Sequence, residues 1–201
     1  MNVRTTFPNE PERLIDSALE LEMAAGNVRQ AHIDLLLKLG VPASVIASGV
    51  DHAPFGVVHA EAIGGAYWQP APHGQAHVIQ PVIADGQIID LIAWRTAEPK
   101  RWQFRTGFAW CLGEDNFTRR AWDAGEPLQV HATPLEFLKS AGTGLVVLDW
   151  DAAELRDLIT VEVIACDPSI TRLLIERLSR PIRMPRFIPL SMGGVNANPS
   201  R

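Results

Sequence analysis

The stretch HVIQPVIADGQIIDLIAW, residues 77–94, decides how this chain is read. Asp85 and Gly86 separate two runs rich in β-formers. A two-residue type I′ turn needs positive φ at both central positions, which Asp-Gly supplies at low cost, so a hairpin is expected over 77–94. Outward from it, FGVVHA, GAYW, WQFR, FAWCL and LQVH are shorter apolar runs divided by proline and glycine. Residues 51–132 therefore read as a β-rich middle, folded as an antiparallel sheet.

On the N-terminal side, residues 1–50 read as a helical segment. Leu14, Ile15, Ala18, Leu19, Leu21 and Met23 trace a helical stripe that stops at Gly26, and Asn27 is suited to cap a second helix ending at Lys38. Pro42 then fits the first position of a short third helix, PASVIAS. Two short helices joined by LGVP invite a helix-turn-helix reading, but PASVIASG lacks Arg, Lys, Asn or Gln to read a base edge, which favours a packing helical cap. On the C-terminal side, residues 133–190 alternate helix and strand, as a small parallel βαβα unit does, and 191–201 read as a tail. The expectation is one compact α+β unit: an N-terminal helical segment, a central antiparallel sheet carrying the hairpin, and a C-terminal βαβα unit.

With 201 residues, 47% of them hydrophobic, the chain is long enough to bury roughly 70% of its unfolded surface. The first residues lack the apolar run of a signal peptide and no run reaches the ~18 apolar residues of a membrane span, so a cytoplasmic protein without membrane contact is expected. Cys111 and Cys166 show no metal-ligand or disulfide spacing and are expected to be buried free thiols. The net charge of −5 is uneven. Residues 1–170 carry 12 Lys/Arg against 22 Asp/Glu, whereas 171–201 carry six Arg against Glu176 alone. Such a basic end suits phosphate or an acidic surface, and Arg180, Arg183 and Arg186 are its candidate contacts.

Three groups of residues bear on chemistry. First, WRTAEPKRWQFRTGFAW (94–110) interleaves Trp94, Trp102, Phe104, Phe108 and Trp110 with Arg95, Lys100, Arg101 and Arg105. On a sheet, alternate residues share a face, so these side chains can form a stacking platform flanked by phosphate-binding charges; equally, the aromatics can be core and the bases a wet face. Trp94, Arg95, Lys100, Arg101, Trp102 and Arg105 are the nucleic-acid candidates. Second, His73 and His77 have the i, i+4 spacing of helical metal ligands, but Pro72 and Gly74 favour a turn, and the glutamate of HExxH is absent. Third, GLVVLDWDAAEL ends an apolar run in Asp149 and Asp151. Asp151 with Glu154 fits a capping-box-like helix start, and Asp167 followed by Pro168 fits another cap. Asp149 is left as the metal candidate, at a strand end where α/β sheets bind ligands. Magnesium is the one cofactor considered there, since it needs only one or two carboxylates. No GxSxG elbow, Cys/His pair or phosphate loop is present; the glycines of GTG precede their strand.

The DWD strand end resembles the DxD of the Toprim fold of primases and topoisomerases, a resemblance that implies magnesium held by Asp149 and Asp151. That family adds a glutamate from an earlier strand, whereas here the preceding segment offers Glu136 on a predicted helix. PVIADGQIIDLIAW, PKRW and TPLEFLKSAGTGLVVLDW together resemble uncharacterised proteobacterial proteins that travel with prophage or replication genes, which implies a mobile-element context of DNA metabolism. The leading expectation is a non-enzymatic accessory or binding protein associated with nucleic acid or with a nucleic-acid-processing protein. The alternatives are a magnesium-dependent phosphoryl-transfer or nuclease-like enzyme centred on Asp149, and a protein-interaction module using the same aromatics.

Overall fold

The structure is a computed structural model that describes residues 16–48, 52–122 and 126–179. Helices α1 (Ser17–Gly26), α2 (Gln30–Lys38) and α3 (Ala43–Ala47) precede strands β1 (Gly56–Ile63), β2 (Tyr67–Pro70), β3 (Gln75–Ala84), β4 (Gln87–Arg95) and β5 (Glu98–Phe104). There follow β6 (Cys111–Leu112), α4 (Glu114–Trp122), β7 (Leu128–His131), α5 (Pro134–Lys139), β8 (Leu145–Val147), a 3₁₀ helix (Ala153–Thr160), β9 (Val163–Ala165) and α6 (Pro168–Leu178). The chain is α+β, as its pattern predicts. No helix among the described residues is long and apolar enough to cross a membrane.

The hairpin forms as its turn chemistry dictates. Asp85 and Gly86 take φ of 51° and 72°, and β3 pairs with β4 from Ala84↔Gln87 back to Val78↔Trp94. The antiparallel sheet expected around it is present and closes on itself, its five strands forming a barrel in the order β1-β2-β5-β4-β3. Closure depends on β1, whose start pairs with β3 (Gly56↔Ile79 to Ala60↔Gln75) while its end pairs with β2 (Ala60↔Pro70 to Ile63↔Tyr67). One parallel pair, Tyr67↔Phe104, joins β2 to β5.

Two runs expected in the middle sheet belong elsewhere. FAWCL and LQVH supply β6 and β7 to a second, four-stranded sheet of order β6-β8-β7-β9, in which β7 runs parallel to β8 and β9. One face of it, with Leu112, Val146 and Leu148, shares a core with Leu135 and Leu138 of α5, Leu36 of α2, Val45 of α3 and the barrel's Val78, Val82, Ile92 and Trp94. The other face, with Cys111, Leu128, Val130, Leu145 and Val147, packs on Leu155 and Leu158 of the 3₁₀ helix and Ile170 and Leu174 of α6. Because a core is shared between the barrel and the second sheet, the two are packed as one body.

Several local expectations change. Asn27 caps the end of α1 rather than the start of α2; the N-cap of α2 is Arg29, whose N–H is accepted by His32 Nδ1 at 3.1 Å. Pro42 is the N-cap of α3, one position earlier than expected. The segment after Asp151 is a 3₁₀ helix with Ala152 at its cap position and no side-chain cap, so the D-A-A-E capping reading fails. The reciprocal pattern is found instead at Thr133 and Glu136: Thr133 Oγ1 accepts from Glu136 N–H at 3.1 Å, and Glu136 reaches back to Ala132 N–H at 2.9 Å. Asp167 does cap α6, accepting from Ser169 N–H at 2.7 Å. Cys111 is buried as expected, but Cys166 is exposed. Leu14, Ile15, Arg180, Arg183, Arg186 and the tail lie outside the described residues.

Candidate functional site at the barrel mouth

Directly paired residues on antiparallel strands share a face, so the register tells which side chains point into the barrel. Ala60, Trp68, Ile79, Leu91 and Ala93 form one cluster with Leu21 and Ala24 of α1, and this cluster is the barrel interior. Gln75 lies opposite Ala60, His77 opposite Val58 and Gln103 opposite Ala93. The inward row of β3 therefore runs Gln75, His77, Ile79, and that of β5 runs Arg101, Gln103. One end of the barrel is apolar inside and the other polar.

Helix α1 fills the apolar end. Gly56 permits its close approach, since a Cβ there would lie 2.5 Å from the Ala24 Cβ. Arg105, following β5, is fixed at this end by Glu20 of α1, with Nε and Nη2 at 2.8 and 2.9 Å from the two carboxylate oxygens. Its guanidinium carbon lies 5.4 Å from the centre of the Trp68 ring. The charge of Arg105 is therefore spent inside the fold.

Among the described residues the polar end is open. A cavity of about 400 Å³ is lined there by Glu61, His73, Gln75, His77, Arg95, Glu98, Arg101 and Gln103, with Ala60 among the residues at its base. Arg95 and Arg101 both lean on Glu98, at 3.8 and 3.7 Å. These separations exceed hydrogen-bond length, so the guanidinium N–H groups stay available to a ligand. Glu61 is engaged by Gln69 Nε2 at 2.7 Å, and His77 Nδ1 lies 2.8 Å from the Gln75 carbonyl oxygen. His73 and His77 do come together, through a turn and a strand rather than a helix.

The structure divides the aromatic and basic segment. Trp94 has no exposed surface, and its Nε1–H donates to Gln80 Oε1 at 2.6 Å. Trp110 is buried, while Trp102 and Phe104 are half-buried against the shared core. Trp102 Nε1–H donates to the Leu148 carbonyl at 3.4 Å. Four of the five aromatics are thus committed to packing, and only Phe108, 81% exposed, presents its ring to solvent. Lys100 is on the Trp102 side of β5, away from the mouth. It contributes, after the Ser169 hydroxyl and N–H, to holding the Asp167 carboxyl below its usual range. Of the nucleic-acid candidates, Arg95 and Arg101 meet at the mouth, while Trp94, Lys100, Trp102 and Arg105 do not.

One functional-looking side chain was not visible from its spacing. Asp90 is fully buried, and its carboxylate accepts five backbone N–H groups. Oδ1 takes those of Leu91, Arg105 and Thr106 at 2.7, 3.1 and 2.9 Å, and Oδ2 those of Gly107 and Phe108 at 2.8 and 3.1 Å. This is a structural role: one carboxylate shapes the whole loop after β5.

At the DWD strand end, the two acids make different contacts. Asp149 Oδ1 accepts the Asp151 N–H at 2.9 Å, a local turn contact, and Asp151 pairs with Arg177 of α6. Glu136, the acid offered by the segment preceding the strand, is held at the start of α5 by its bond to Ala132. Among the described residues no group of three or more His, Cys, Asp or Glu is arranged to hold a metal ion. Cys111 sits deep in the core, where burial and, secondarily, Glu114 and Glu154 keep its thiol protonated well above the usual range; partial burial and Glu136 raise that of Cys166.

Compared with protein-family models, curated proteins and solved structures, the chain matches none.

Proposed function

We propose that the protein is a non-enzymatic accessory module that binds nucleic acid at the open mouth of its barrel. The observation that carries this reading is the Arg95–Glu98–Arg101 group on the lip, held by loose ion pairs, beside the inward-facing His77, Gln75 and Gln103. Arginine offers a planar fork of donors matched to phosphate, and the glutamine amides can pair with the edges of an unstacked base. These groups bind and orient.

The reading differs from a stacking platform in where it puts the ligand. The mouth, not the row of tryptophans, makes the contact, so affinity rests on Arg95 and Arg101. Fluorescence anisotropy with a labelled single-stranded oligonucleotide at low salt tests this. The Arg95→Ala/Arg101→Ala double variant should weaken binding by about tenfold or more, corresponding to ~1.4 kcal/mol, and flatten its salt dependence. Lys100→Ala, on the other side of β5, should leave binding within a factor of two. Absence of binding by the wild-type protein at low salt would overturn the proposal.

A further inference from the structure

The mouth of the barrel is blind. Behind its polar lining lie Ala60, Ala93 and Trp68, and behind these Leu21 and Ala24 of α1 close the far end. A cavity of about 400 Å³ is at the small end of the range for ligand sites, roughly 300–1,000 Å³, and gives room for a terminal group. A strand entering along the barrel axis therefore has to enter by its end.

The charges on the mouth point the same way. Arg95 and Arg101 are balanced by Glu61 and Glu98, so with neutral histidines the formal sum is zero. A balanced mouth has little long-range attraction for a polyanion, and its affinity has to come from directed contacts. A terminal phosphomonoester concentrates about −1.5 to −2 charges and three acceptor oxygens at one point, whereas a backbone diester carries a single charge and is flanked on both sides. Glu98 is a competitor for the same guanidinium groups, placed between them at 3.8 and 3.7 Å. Glu61 is already turned to Gln69. An anion arriving at the lip thus meets two arginines whose only ion-pair partner among the described residues holds them loosely.

We infer that the site takes a nucleotide phosphomonoester at the end of a nucleic-acid strand, with the terminal phosphate between Arg95 and Arg101 and the terminal nucleotide directed toward Gln75, His77 and Gln103. This inference rests on the proposed nucleic-acid function and deepens it. The end-binding geometry makes phosphorylation state the property read by the site. It also assigns Glu98 a negative role, as the internal anion that the phosphate displaces.

The test uses the full chain and three probes: a short single-stranded oligodeoxynucleotide with a terminal phosphate, placed at the 5′ end or the 3′ end; the same strand with hydroxyl ends; and adenosine monophosphate as competitor. The phosphorylated strand, in one of the two placements, should bind about tenfold more tightly than the hydroxyl strand. Arg101→Gln should reduce that preference to less than threefold, and Glu98→Gln should increase affinity for the phosphorylated strand, with an unchanged thermal midpoint confirming that the variants fold. Equal affinity for phosphorylated and hydroxyl strands would overturn end recognition while leaving nucleic-acid binding intact. Failure of every strand to bind would overturn the function itself. Adenosine monophosphate binding as tightly as the phosphorylated strand would overturn the strand-end assignment in favour of a free nucleotide.

Discussion

Asp90 shows how much one side chain can organise. A fully buried carboxylate carries a heavy desolvation cost, which is tolerable only when its lone pairs are filled by well-placed donors. Five backbone N–H groups fill them here, four from the consecutive residues Arg105 to Phe108. Gly107, at φ of 83°, permits the turn that aims these donors inward. Asp90→Ala should therefore destabilise the fold by roughly 3 kcal/mol or more, through buried donors left without an acceptor. A lowered urea midpoint at unchanged slope would show it; a loss below ~1 kcal/mol would mean that water replaces the carboxylate. Nothing in the local sequence marks Asp90, because it sits in an apolar run, QIIDLIAW, and its partners come from a loop 15–18 residues further on. The acids that did attract notice, Asp149 and Asp151, have more modest work: a local turn and a contact between Asp151 and α6.

At the scale of elements, legibility follows the distance over which the controlling interaction acts. The β3–β4 hairpin was readable because two adjacent residues impose its turn. The capping of α6 by Asp167 was readable for the same reason. Barrel closure was not, since it requires β1 to pair at both ends with strands on either side of it, and no residue of GVVHAEAI states that it has two partners. The aromatic and basic segment fell between these cases. Period-2 alternation separated Trp102 from Gln103, but it could not reveal that β4 is covered on both faces, which places Trp94 in a second core outside the barrel. The packing of α1 on β1 gives the sharpest elemental test. A methyl group at position 56 would meet Ala24 Cβ at 2.5 Å and the Ala24 backbone carbon at 2.6 Å, both too close to tolerate without movement. Gly56→Ala should cost about 1–3 kcal/mol as α1 is pushed off the barrel end. An unchanged melting curve would contradict the described plug.

At the scale of the whole molecule, the described residues form a barrel closed at one end by a helix, flanked by a small sheet and open at the other end. His73, His77, Arg95 and Arg101 were each conspicuous in the sequence, yet they belonged to two unrelated readings, a metal motif and a stacking segment. Only closure of the barrel brings them to one rim, together with Gln75, Glu98 and Gln103. That is why the sequence could single out these residues while the cavity they line could not be read from it. Ligand entry at this rim, as proposed, is read most directly by backbone amide NMR of the labelled protein titrated with the phosphorylated single strand. Chemical-shift changes should concentrate at residues 60–62, 73–77 and 95–103, with little change along α1 or around Phe108. Shifts centred on α1 and the 105–108 loop, or no shifts at saturating strand, would contradict it.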